Sequence, residues 1–137
     1  MKRYLNVITI LLLAGLALSS LRCHKDNGVS GGGKGGNDTL VIKPAHGGVL
    51  INLTSGTAYI KYGTLNAPSN GVYDDSAAFN PVDTISQAVF TGLTNGQYFI
   101  LCYGIHSTYP QPNLESKAPL TISQTGTTAV TLDFSNY

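Results

Sequence analysis

From Thr39 to Tyr137 the sequence never sustains a helical repeat. Short runs rich in β-branched and aromatic residues recur instead, each bounded by Gly, Pro, Asn or Ser. A helix needs apolar residues every three to four positions over roughly ten residues or more, and no window supplies them. Two-residue alternation is plain near the C-terminus, where Thr128, Val130, Leu132 and Phe134 interleave with Thr127, Ala129, Thr131 and Asp133. Successive side chains of a strand point to opposite faces, so this pattern sets one face on a core and the other in water. The same reading places strands at 40–43, 49–53, 57–63, 87–90, 97–105, 119–124 and 127–134. The run from Gln97 to Ile105 is apolar on both faces and belongs at the centre of a sheet. Short strands at this spacing, with turn residues between them, define an all-β fold: a single antiparallel β-sandwich of about seven strands.

The first 22 residues do not fit that pattern. Lys2 and Arg3 precede an apolar run from Val7 to Leu18 that only Thr9 and Gly15 interrupt. A basic end followed by a short apolar stretch is the layout of a secretory signal peptide. A permanent span needs about 20 apolar residues, and this run meets Ser19 and Ser20 first. Cys23 follows, and His24, Lys25 and Asp26 open a polar stretch. This arrangement resembles the lipoprotein signals of Bacteroidota-type bacteria, which implies acylation of Cys23, a lipid anchor in the cell envelope and a position at the outer membrane. Ser20 and Arg22 depart from the usual residues of that signal. The alternative is cleavage after Ser19, where Ala17-Leu18-Ser19 offers small residues. Cys23 then stays a thiol, and a disulfide to Cys102 becomes available in an oxidising compartment. With Cys23 acylated, Cys102 is a small buried hydrophobe in an apolar run.

Between Asp26 and Asn37 six of twelve residues are Gly. Such a stretch buries too little apolar area to offset its conformational entropy and reads as a flexible tether. The chain thus divides into a signal peptide over 1–22, a Gly-rich tether over 23–38 and a β-sandwich over 39–137. Gly28, Gly33 and Lys34 mimic a phosphate-binding loop, but Gly35 stands where a hydroxyl must hold Mg²⁺, and neither a strand nor a helix flanks it. Removing Lys2, Arg3 and Arg22 leaves five Lys against seven acidic residues, a net charge of −2. That balance offers no basic surface for nucleic acid.

Ala58-Tyr59-Ile60-Lys61-Tyr62-Gly63, followed by Gly92-Leu93-Thr94-Asn95-Gly96-Gln97-Tyr98, is similar to the prealbumin-like (transthyretin-like, carboxypeptidase-regulatory-like) sandwiches of exported bacterial proteins. Their recurrent phrase is a strand, a Gly-Leu-x-x-Gly-x-Tyr turn and a second strand. In physical terms, Asn95-Gly96 suits a tight reversal and Leu93 suits a plug at the end of the core. The resemblance speaks to the fold over residues 57–134 and little to function, since such scaffolds carry unrelated sites. Its enzyme branch, the hydroxyisourate hydrolases, ends in a Tyr-Arg-Gly-Ser signature, whereas this chain ends Phe134-Ser135-Asn136-Tyr137.

Strict alternation of antiparallel strands sets the tether and three short turns at one end of the sandwich and two long connections, 64–86 and 106–118, at the other. Long loops on a rigid sheet are where binding usually resides. Candidate ligand-binding residues there are Tyr73, Asp74, Asp75, Tyr109 and Gln111, an aromatic face beside acceptor groups that suits a glycan or a protein ligand. Asp38-Thr39-Leu40, Asp75-Ser76-Ala77 and Asp83-Thr84-Ile85 resemble the O-glycosylation sites of exported Bacteroidota-type proteins, which makes Thr39, Ser76 and Thr84 candidate acceptors. Asp-Ser and Asp-Thr pairs also start turns for purely structural reasons. His24, His46 and His106 lack metal-ligand spacing, and the serines lack a nucleophile-elbow context. No catalytic residue, metal or cofactor is expected. The sequence points to a non-catalytic envelope binding module, with a structural spacer or assembly subunit of a surface appendage and a secreted non-lipidated domain as alternatives.

Overall fold

The structure, a computed structural model, describes residues 31–82, 84–108 and 113–136. All its regular elements are strands: β1 (Lys34–His46), β2 (Val49–Leu50), β3 (Ser55–Tyr62), β4 (Asp75–Ala78), β5 (Asn80–Val82), β6 (Ile85–Leu93), β7 (Gly96–Ile105), β8 (Asn113–Ile122), β9 (Thr127–Asp133) and β10 (Ser135–Asn136). They form two sheets. In one, β1 is flanked by β6 and β9, β5 adds to β6, and β2 pairs with the last two residues of β1. The other runs β10-β8-β7-β3-β4. The apolar run expected at a sheet centre is β7, which lies between β3 and β8.

Alternation builds the core between the sheets. Leu40 and Ile42 of β1 and Ala88 and Phe90 of β6 point inward to meet Ala58, Ile60, Ile100, Cys102, Leu114 and Ile122. Phe79 and Phe134 meet edge to face, with ring centroids 6.0 Å apart. Cys102 is fully buried, and burial pushes its thiol up to about 12, so it behaves as a small apolar side chain.

The connection expected over 106–118 is half strand, since β8 begins at Asn113, and four further features depart from the sequence-based expectation. The pair β1–β9 is parallel, with Thr39 opposite Thr127 and Ala45 opposite Asp133. The cause is the segment 123–126, which crosses from one sheet to the other and starts β9 at the end where β1 starts. Second, β6 and β7 lie in different sheets, so Asn95-Gly96 forms a corner between layers, not a hairpin. Third, the body begins earlier than residue 39: β1 starts at Lys34, and Thr94 N–H donates to the Gly33 carbonyl at 2.9 Å. Part of the Gly-rich stretch is therefore seated in the fold.

The fourth difference reverses a loop. The expected strand 49–53 shrinks to Val49–Leu50, after which Ile51 and Leu53 turn their side chains into the core, each 6% exposed. Ile51 N–H donates to Pro44 O at 3.0 Å, Leu53 N–H to Ser86 Oγ at 3.0 Å and Thr54 N–H to Ile105 O at 2.7 Å. The chain stays at the far end and β3 begins there, opposite Ile105. Losing one traverse moves the first long connection to the other end, and the added strand β4 restores the expected ends for the connections that follow. The connection 63–74 sits at the near end, beside Gly31–Gly33 and the 94–95 corner, where Gly63 N–H donates to Gln97 O at 2.9 Å. The residues that flank segment 109–112 lie at the opposite, far end.

Candidate functional site

The connection from β3 to β4 places Tyr73, Asp74, Asp75 and Ser76 on the edge of the second sheet. Asp74 N–H donates to Ile60 O at 2.9 Å and continues the β3–β4 ladder, in which Ile60 faces Asp75 and Tyr59 faces Ser76. Ser76 therefore shares the outer face with Tyr59, while Asp75 turns toward the inner side near Tyr62. Tyr59, Gly71, Tyr73, Asp74, Asp75 and Ser76 line an open depression of about 450 Å³. Tyr59 is its hub: its ring lies 5.8 Å from Tyr73 at 49° and 6.3 Å from Tyr103 at 72°. Such tilted and edge-to-face pairs hold the rings in fixed orientations.

Both carboxylates are already engaged. Lys61 Nζ donates to Asp74 Oδ1 at 2.8 Å and Tyr62 N–H to Oδ2 at 2.7 Å. Lys34 Nζ lies 2.8 Å from Asp75 Oδ2, which also accepts from Tyr62 Oη at 3.3 Å, and Ser76 N–H donates to Oδ1 at 2.8 Å. The Lys61 ammonium, helped by the Tyr62 amide, holds Asp74 below the usual carboxylate range, and Lys34 does the same for Asp75. The Tyr62 phenol is pushed the other way, by burial first and then by Asp75. Burial also raises Tyr73. The depression is thus lined by the phenols of Tyr59 and Tyr73, and each of its two rim carboxylates is paired with a lysine.

Of the sequence-based candidates, Tyr73, Asp74 and Asp75 come together here. Tyr109 and Gln111 lie outside the described residues, and the strand ends that flank them belong to the far end. The expectation of one rim made from both long loops is therefore corrected. Among the glycosylation candidates, Ser76 and Thr84 are exposed, whereas Thr39 is half-buried in β1 between β6 and β9. Asp38, its neighbour, is 3% exposed and accepts from Gly126 N–H at 2.8 Å. That bond fixes the start of β9 and gives the Asp-Thr pair a structural role. Asp83 and the expected lipid-attachment residue Cys23 lie outside the described residues.

Sequence reasoning passed over Tyr59, Tyr103, Lys34 and Lys61 as site residues. The signal was present in the two-residue period, which sets Tyr59 and Lys61 on one face of β3 and Tyr103 on the matching face of β7. His46 closes β1, and its Nδ1–H donates to Phe134 O at 2.6 Å. Among the described residues no three His, Cys, Asp or Glu side chains converge to hold a metal ion. Comparison with known proteins finds no matching family model, no similar curated protein and no similar solved structure.

Proposed function

We propose that this chain is a lipid-anchored cell-envelope protein that acts as a non-catalytic interaction module, and that its ligand is a glycan bound in the Tyr59–Tyr73 depression. The observation that carries the reading is the pair of tyrosine rings at 5.8 Å beside the exposed Ser76 and the rim carboxylates of Asp74 and Asp75. Ring faces suit the apolar face of a sugar, and the remaining lone pairs of the carboxylates suit its hydroxyls. The anchor is inferred from the resemblance of the Cys23 region to lipoprotein signals, and the prealbumin-like phrase around Gly92 and Tyr98 fits the role of a scaffold.

A glycan panel followed by thermal unfolding tests this. A ligand present at about a hundred times its Kd raises stability by about 2.7 kcal/mol. The rise is expected with wild type and expected to vanish in Tyr73→Ala. A shift of equal size in both proteins, or no shift with any glycan, overturns the assignment.

A further inference from the structure

The sheets have edges of very different kinds. β4 spans four residues and its first, Asp75, is held in an ion pair. β5 has three residues with Pro81 in the middle, and β2 and β10 have two each. Short length, charge and proline are the devices that keep an edge from recruiting another chain. β9 has none of them. It runs seven residues, Thr127 to Asp133, without proline and without charge before its last residue. Among the described residues it pairs only with β1.

Its inner face is covered only in part: Leu132 is 8% exposed and belongs to the core. Ile42 and Phe90, inward positions of neighbouring strands, are 0% and 2% exposed, yet Val130 of β9 points inward and is only half-buried. A β-branched residue left half-open beside a free ladder gains from a cross-strand partner.

We infer that β9 is an interface with a second copy of this chain, paired antiparallel about a two-fold axis at Val130. Val130 is the midpoint of the strand, so this register pairs all seven residues. It sets the two Val130 side chains against each other and covers the half-exposed side of each. On the outer face Ala129 meets Thr131 of the other copy, and Asp133 meets Thr127, so no like charges are opposed. A two-fold interface uses the same patch twice and closes without leaving an edge at the join. The inference goes beyond the glycan reading and does not depend on it.

Sedimentation of the full chain in density-matched detergent tests it with substitutions at two exposed outer-face positions. Wild type is expected to dimerise. Ala129→Lys with Thr131→Lys opposes like charges twice and is expected to raise the dimer Kd about tenfold or more, while Ala129→Lys with Thr131→Glu pairs opposite charges and is expected to restore it. Far-ultraviolet circular dichroism checks that both variants keep the fold. A wild-type monomer, a dimer indifferent to both variants, or β9 amides protected from exchange only when an extended peptide of another sequence is added would each overturn the proposal.

Discussion

Tyr98 is the residue on which the near end is organised. Its ring is fully buried, while its hydroxyl donates to Thr94 O at 2.5 Å and accepts from Gly33 N–H at 3.0 Å. One phenol thus ties the 94–95 corner to the segment that leads into β1. The backbone there packs so closely that a Cβ on Gly96 would collide with Gly32 N, and a Cβ on Gly32 would sit 2.5 Å from the Tyr98 ring. Gly96 in the Gly-Leu-x-x-Gly-x-Tyr phrase is therefore required by the close approach of the Gly31–Gly32 backbone as well as by the turn. Tyr98→Phe keeps the packing and removes the hydroxyl, leaving a partly buried carbonyl without its donor. The expected cost is about 1–2 kcal/mol, read from the urea midpoint.

At the scale of elements, the seating of Gly31–Gly36 makes a Gly-rich run part of the body. Chains that begin at Gly31 and at Asn37 are expected to differ in stability. The shorter one loses the Gly33 bonds to Thr94 and Tyr98 and the Lys34 bonds to Asp75 and Thr91 O. At about 1 kcal/mol for each net hydrogen bond, partly offset by the entropy of freeing the segment, the loss is about 2 kcal/mol, or roughly 10 °C in Tm. Calorimetry of the two chains measures it; equal melting temperatures would mean that the segment is bound too weakly to matter.

The same elements show how much was readable in advance. Alternation located β1, β3, β6, β7, β8 and β9 because each carries an apolar face into a shared core. It overlooked β4, β5 and β10, whose two to four residues are too short to display a period. It overextended β2, because Ile51 and Leu53 are apolar for a different reason: they plug the far end of the core without joining a ladder. From that one overextension came the misplaced loop. Half of the candidate site, Tyr73 with its two aspartates, was legible as residues. Tyr59 and Tyr103 become part of it only when β3 and β7 are known to be neighbours.

The whole molecule has a defined response to acid. Asp74 and Asp75 both titrate below the carboxylate value of an unfolded chain, about 3.9, because lysines and backbone amides hold the charged forms. A carboxyl lowered in the folded state contributes stability that is fully present above the unfolded value and is lost as pH falls through the folded one. The domain is thus expected to hold its denaturant midpoint from neutral pH to about pH 5 and to weaken below about pH 4. Asp74→Asn is expected to lower the midpoint at neutral pH and to flatten the acid slope, measured by urea titration at a series of pH values.

The placement of β1 has a mechanical consequence. Tension applied at Gly31 passes straight into a strand clasped on both sides, by β6 antiparallel and by β9 parallel. Pulling along that axis loads the rungs on both flanks in shear, all together, so they cannot be unzipped one after another. The phenol rivet at Gly33 must let go before that load reaches β1. Force applied at that point is expected to be met by a late and abrupt yield.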